Sequence, residues 1–191
     1  VYPNETNSNE RLWNNVVLGF GQHQIQTQLK EQHVIDDIAL FHTNESAMVI
    51  GVLAALDGAT KKYGDTIEAY EKALAEIRAK VIFTTHTLVP AAEATFTLSQ
   101  CERFILSNLT STEMKNQLRT FITHHDEQLK LLDLALFLAG SRNGVSEDHS
   151  RIAAGIFHLD FHAVTNGIYQ EGWAPNIVKI LRRYNVIDRF G

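Results

Sequence analysis

The sequence has few cysteines and no long apolar run. Cys101 is the one cysteine among 191 residues, which excludes an intramolecular disulfide framework and a zinc site built on cysteines. The longest apolar stretch, residues 131–140, contains Asp133 and is about half of the roughly 20 residues that a membrane-spanning helix needs. The first residues lack a signal-peptide pattern. We therefore expect a cytoplasmic protein with no membrane partner.

A surplus of basic residues is also missing. The chain has 17 Lys and Arg against 22 Asp and Glu, for a formal charge of -5. This balance argues against nucleic acid as a partner, because phosphate backbones attract positively charged surfaces. Apolar residues make up 45% and charged residues 20% of the chain, which is typical of a folded globular domain.

Short apolar or β-branched runs alternate with helical patterns along the chain. Residues 65–79 give the clearest helical pattern, with an apolar face opposite a charged one. The run Val81-Ile82-Phe83-Thr84 follows at once and predicts a buried strand. The predicted strands are 38–41, 81–84, 144–146 and 161–165, and the predicted helices are 11–30, 45–56, 65–79, 98–109, 111–124, 127–139, 147–157 and 176–184.

This alternation predicts a helix-rich α/β fold. Short buried strands separated by helices indicate a parallel sheet with helices on both faces. We expect residues 1–10 to form a polar N-terminal segment and residues 11–191 to form a single, partial α/β domain.

Polar residues follow three of the predicted strands. They occupy residues 41–46, 84–87 and 164–167, where a parallel sheet places its ligands. Their amides, hydroxyls and imidazoles suit a hydroxyl-rich ligand such as a sugar. His86 is a candidate hydrogen-bond donor or proton carrier, although a histidine in a tight loop also serves to satisfy backbone groups. We expect Asn44, His86 and Asn166 to gather around one hollow.

Histidine spacing also raises a metal-site alternative. His158, Asp160 and His162 alternate at strand spacing, which would place the three side chains on one side. Histidines on the surface or in loops explain the pattern more simply, and we favour that interpretation. The sequence lacks His-Glu-x-x-His, a glycine-rich phosphate loop and Gly-x-Ser-x-Gly, which argues against the enzyme classes that those motifs mark.

Five segments, taken in order, resemble the α-glucan phosphorylases, the family of glycogen, starch and maltodextrin phosphorylases. The resemblance covers approximately residues 10–175. The segments are Val17-Leu18-Gly19-Phe20-Gly21, His42-Thr43-Asn44-Glu45, Val81-Ile82-Phe83-Thr84-Thr85-His86-Thr87-Leu88-Val89-Pro90, Asn143-Gly144-Val145-Ser146-Glu147-Asp148-His149-Ser150, and Thr165-Asn166-Gly167-Ile168 followed by Trp173.

The resemblance implies a glycosyltransferase of the two-domain GT-B type, with this chain as the later part of its Rossmann-like N-terminal domain. Such enzymes transfer a terminal glucosyl unit from an α-1,4-glucan to phosphate, giving glucose 1-phosphate, and use pyridoxal phosphate. By the match, six residues are substrate-binding. His86 would contact the glucosyl unit, Asn44 and Glu45 would line the same cleft, and the remaining three would shape it: Thr85, Asn166 and Gly167.

Several departures from the family pattern limit what this chain would do alone. Ala47 stands where the family has a histidine. The glycine-rich N-terminal loop and the C-terminal domain, with its Schiff-base lysine and phosphate-binding residues, have no counterpart here. We therefore expect no catalytic residue, no bound cofactor and no metal in this chain, and a partner that is either the missing C-terminal domain or a second copy.

Two alternatives stay open at this point. One is a catalytically dead glucan-binding or scaffolding protein of the same fold. The other is a metal-dependent enzyme that uses His158, Asp160 and His162.

Overall fold

A computed structural model of the chain describes residues 8–88, 94–167 and 175–184. Pro90 and Trp173, which belong to the sequence motifs above, lie outside these ranges. The strands are β1 (Phe41–Asn44), β2 (Val81–Thr85), β3 (Thr95–Thr97), β4 (Gln128–Lys130), β5 (Ser141–Gly144) and β6 (His162–Ala163). The α-helices are α1 (Ser8–Glu31), α2 (Val49–Tyr63), α3 (Ile67–Lys80), α4 (Leu98–Phe104), α5 (Thr112–Thr123), α6 (Leu131–Leu138), α7 (Glu147–Phe157) and α8 (Pro175–Arg183).

The main sheet is parallel and has the strand order β1-β2-β5-β6. Its register pairs Asn44 with Thr84, Thr84 with Asn143, and Asn143 with His162. Helices α2 and α3 connect β1 to β2, and α7 connects β5 to β6. The predicted helix-rich α/β fold with a parallel sheet is confirmed. Because all four strands run the same way, their carboxyl ends meet at one edge.

The two faces of the main sheet differ. On one face, Phe83 is fully buried and joins the apolar cluster that contains Leu53 of α2 and Leu134 of α6. On the other face, His42 and Asn44 are exposed. Helices on both faces were expected, but in the part of the chain that the structure describes, the second face borders an open cavity.

Helix α1 packs closely against α2 at a glycine. A Cβ atom added to Gly19 would lie 2.6 Å from the backbone nitrogen of Gly51 in α2. Leu12 and Val16 are buried on the same side of α1. Glycine weakens isolated helices, but here it allows the two helix backbones to approach, and α1 continues unbroken over 24 residues.

Hydroxyl side chains begin several helices. The side chains of Thr66, Ser111 and Ser146 accept hydrogen bonds from the backbone N–H groups of Ala69, Met114 and His149. Such contacts satisfy donors that have no partner inside the first turn of a helix. Thr97 and Gln100 complete a reciprocal capping box at α4.

The first strand lies three residues beyond its predicted position. The apolar run 38–41 predicted a strand buried on both faces, whereas β1 is Phe41–Asn44. The prediction was wrong because one face of β1 is open: His42 and Asn44 are exposed on it, and Thr43 between them is buried. The strand predicted at 144–146 is likewise displaced, to Ser141–Gly144.

A small second sheet was not predicted. Strands β3 and β4 pair antiparallel, with Phe96 opposite Leu129. Each has only three residues, too few for a clear alternating pattern. As a result the helix predicted over 127–139 begins only at Leu131.

Candidate functional site

An open cavity of about 580 Å³ runs along the exposed face of the main sheet to its carboxyl edge. All four strands, or the loops that follow them, contribute to it. The lining consists of three imidazoles (His42, His86, His162), three amides (Asn44, Asn143, Asn166), two hydroxyls (Thr84, Ser141) and three aliphatic side chains (Leu40, Ile82, Val164).

Three of the predicted site residues meet at this cavity. Asn44 is the last residue of β1, His86 is the first residue after β2, and Asn166 lies three residues after β6. The Asn166 backbone N–H donates to the carbonyl of Val145 at 3.3 Å, which ties its loop to the end of β5. The expectation that these side chains share one hollow is confirmed, and their contact with a sugar stays a prediction.

The other three predicted residues have different positions. Thr85 is fully buried, and its hydroxyl donates to the carbonyl of Thr87 at 3.3 Å. Successive side chains of a strand point to opposite faces, so Thr84 lines the cavity and Thr85 faces the core. Gly167 has no heavy atom within 4 Å of an added Cβ, and Glu45 is engaged with the backbone of the His86 loop.

A row of hydrogen bonds crosses the floor of the cavity, and sequence reasoning missed it. The Thr84 hydroxyl donates to Oδ1 of Asn143 at 2.7 Å and lies 2.8 Å from Nε2 of His42. A hydroxyl has one proton to donate, so Thr84 accepts from the Nε2–H of His42. Thr84 and Asn143 are buried. Residues two apart in a strand share one face. Counting back two residues from Asn44 and from His86 would therefore have identified His42 and Thr84.

Among the residues that the structure describes, the cavity lining carries no Asp, Glu, Lys or Arg. When its histidines are neutral, the lining therefore offers polar groups without net charge. Amides, hydroxyls and imidazoles both donate and accept hydrogen bonds. The arrangement suits an uncharged ligand with many hydroxyl groups, and the aliphatic side chains offer contact to its apolar patches.

A second cavity lies near the amino end of β1 and differs in character. Its volume is about 200 Å³, and an ion pair of 2.5 Å joins Lys30 to Asp37 beside it. This hydrogen bond, together with the nearby charge of Lys80, holds the pKa of the Asp37 carboxyl below its ordinary value. Lys30 and Lys80 are thus already paired with Asp37, and the charged side chains of this cavity distinguish it from the first.

The metal-site alternative is wrong. Among residues 8–88, 94–167 and 175–184, no group of three or more His, Cys, Asp or Glu side chains is placed to hold a metal ion. His158 ends α7 in a left-handed conformation with φ of 53°, and β6 contains only His162 and Ala163. Because no strand runs from His158 to His162, the strand alternation that the alternative assumed does not exist.

Comparison with known proteins points to the glucan phosphorylases. The chain is 24% identical to the maltodextrin phosphorylase of Thermococcus litoralis over 194 residues, which cover 95% of this chain and 21% of that protein. It is 27% identical to the glycogen phosphorylases of Mycobacterium tuberculosis and Mycobacterium bovis over 154 residues, which cover 71% of this chain and 17% of each relative. No protein-family model matches the chain.

These similarities support a distant, phosphorylase-like relationship. The chain spans about a fifth of the length of the curated relatives that it matches. Within the described ranges, no helix is both long and apolar enough to cross a bilayer.

Proposed function

We propose that this chain forms the glucan-holding part of an α-1,4-glucan phosphorylase-like glycosyltransferase of the GT-B type. The observation that carries the proposal is the convergence of Asn44, His86 and Asn166 on one uncharged polar cavity at the carboxyl edge of the sheet. Distant similarity to maltodextrin and glycogen phosphorylases supports the same substrate class. The full enzyme would transfer a terminal glucosyl unit to phosphate, and this chain would contribute the sugar contacts.

The cavity residues have complementary roles in this proposal. Asn44 and Asn166 each offer an amide that donates to one sugar hydroxyl and accepts from another. His86 contacts the terminal glucosyl unit, and Leu40, which is half-exposed, packs against the C–H face of a sugar ring. An uncharged lining avoids the desolvation of charged groups when a neutral glucan binds.

Pyridoxal phosphate does not fit this cavity. A Schiff base requires a lysine amine, and the phosphate of the cofactor requires cationic partners, but the described lining contains neither Lys nor Arg. We therefore assign no chemical step to the cofactor here. In this proposal a partner, either a C-terminal domain or a second copy, supplies the cofactor and phosphate sites, and the assembly is cytoplasmic.

Glucan binding by the 191-residue chain tests the proposal. Isothermal titration with maltoheptaose is expected to show binding that weakens about 3- to 10-fold in His86→Ala and in Asn166→Ala, the effect of one lost hydrogen bond. Asn116→Ala, an exposed asparagine on α5, is the matched control and should leave the affinity unchanged. Absent binding, or equal effects of all three substitutions, would contradict the proposal.

A second candidate function is glucan binding without catalysis in any assembly. Ala47 favours it, because an exposed alanine stands at a position where the resemblance expects a polar histidine. The chain alone should release no glucose 1-phosphate from maltoheptaose and phosphate under either function. The two functions differ in the gene that they require. A reading frame that continues into a second Rossmann-like half with a cofactor-binding lysine would favour the phosphorylase-like transferase over glucan binding without catalysis.

A further inference from the structure

Glu45 has a backbone conformation that is unfavourable for its residue type. Its φ is 63° and its ψ is 172°, a region that is essentially restricted to glycine because a Cβ atom collides with the neighbouring peptide groups. Strained residues of this kind persist when surrounding contacts hold them, and they concentrate at functional sites. The position of Glu45, directly after Asn44 at the rim of the cavity, fits that pattern.

Two hydrogen bonds hold Glu45 to the end of β2. Its backbone N–H donates to the carbonyl of Thr84 at 2.9 Å. Its carboxylate accepts from the backbone N–H of His86 at 2.5 Å. The two bonds are made to backbone groups on either side of Thr85. Glu45 therefore joins the turn that follows β1 to the loop that follows β2.

We infer that Glu45 is a positioning residue that fixes the His86 loop beside Asn44, and that it makes no contact with the ligand. Its carboxylate is occupied by the His86 amide, and Glu45 does not line the cavity. A glycine would adopt this backbone conformation without strain but would lose the bond to His86. The inference rests on the proposed function for the role of His86 in glucan binding, and it revises the ligand contact that the sequence resemblance implies for Glu45.

Three substitutions of Glu45 separate its side-chain bond from its backbone strain. Glu45→Ala removes the bond and keeps the strain, Glu45→Gly removes both, and Glu45→Gln keeps an oxygen acceptor. We expect hydrogen exchange at the His86 amide to accelerate at least about tenfold in the Ala and Gly variants, because that amide loses its partner. In Glu45→Gln the exchange rate should return to within about threefold of the wild-type rate.

Glycine should then restore stability relative to alanine without restoring affinity. Relief of the strained backbone should make the unfolding equilibrium constant of Glu45→Gly roughly tenfold smaller than that of Glu45→Ala. Maltoheptaose should nevertheless bind both variants more weakly than it binds the wild type, and Glu45→Gln should recover most of the affinity. A purely structural residue would lower stability and affinity together.

The outcomes distinguish this inference from the proposed function. Glu71→Ala, at an exposed glutamate of α3, is the matched control and should leave the His86 amide unchanged. If the wild-type chain fails to bind maltoheptaose, the proposed function fails, while amide exchange still decides whether Glu45 positions the loop. Unchanged exchange at His86 in both the Ala and Gly variants would overturn the inference, whatever the binding result.

Discussion

Gly19 and Gly21 lie two residues apart in α1 but have different surroundings. An added Cβ at Gly19 would lie 2.6 Å from the backbone of Gly51, whereas one at Gly21 would meet no heavy atom within 4 Å. We expect Gly19→Ala to lower the free energy of unfolding by about 1–3 kcal/mol, because a packed helix contact must open. Gly21→Ala should raise it by up to about 1 kcal/mol, because alanine is the better helix former.

Urea denaturation of the two glycine variants measures both effects. The variants add the same methyl group to the same helix, so each serves as the control for the other. Changes of the same sign in the two variants would show that the close contact between α1 and α2 does not set the stability of this helix pair.

At the level of single residues, the sequence predicted the rim of the cavity and missed its floor. Asn44, His86 and Asn166 stand out because they follow strands, where chain order alone indicates the carboxyl edge. Thr84 and Asn143 lie within strands, and their hydrogen bond joins residues 59 positions apart. That contact depends on the register between β2 and β5, which one sequence does not specify.

At the level of elements, two carboxylates hold the start of α5. Asp57, which is buried, accepts from the backbone N–H groups of Thr110 and Ser111. Asp65 accepts from the Ser111 hydroxyl and from the backbone N–H of Glu113. These hydrogen bonds hold the pKa of the Asp65 carboxyl well below its ordinary value. The bond from the Ser111 hydroxyl has the largest effect, and the bond from the Glu113 amide has the next largest.

This lowered pKa predicts a pH-dependent contribution of Asp65 to stability. The carboxyl is more acidic in the folded chain than in the unfolded chain, so its contribution is complete above the unfolded pKa of about 3.9 and is lost as the pH falls toward the folded value. Asp65→Asn should therefore destabilise the fold at pH 7, and the difference from wild type should shrink below about pH 4. Asparagine tolerates the positive φ of 60° at this position, so it is a matched replacement.

Unfolding midpoints of wild type and Asp65→Asn, recorded between pH 7 and pH 3, test this expectation. A stability difference that stays constant across the range would show that charge at Asp65 does not stabilise α5.

Elements with a long periodic pattern were predictable, and short or one-sided elements were not. Residues 65–79 predicted α3 almost to its ends, because one apolar face repeats over four turns. Strand β1 was misplaced because a continuous apolar run predicts burial on both faces, whereas one face of β1 is open. The pairing of Phe96 with Leu129 in the second sheet depends on contacts between distant parts of the chain, which local pattern does not contain.

At the level of the whole molecule, four large apolar side chains of α1 are exposed. Trp13, Val17, Leu18 and Ile25 are each at least half-exposed, at 50%, 51%, 57% and 59%. Exposed apolar surface of this kind favours association. We expect the chain to self-associate as its concentration rises, and the double substitution Leu18→Lys with Ile25→Lys to reduce the association.

Light scattering after size-exclusion chromatography, over a hundredfold range of protein concentration, measures the self-association. Gln22→Lys is the matched control, since it adds positive charge at an exposed polar position of the same helix and removes no apolar side chain. A single monomeric mass for the wild type at every concentration would contradict the expectation.

The strand order β1-β2-β5-β6 also sets the width over which the cavity can contact a ligand. Asn44 ends the first strand of this order and Asn166 follows the last, so three inter-strand spacings separate the two strands. At roughly 4.8 Å for each spacing, the two outer strands lie about 14 Å apart. The cavity therefore spreads its polar groups over the width of all four strands, so a ligand that contacts both asparagines lies across the strands and not along one of them.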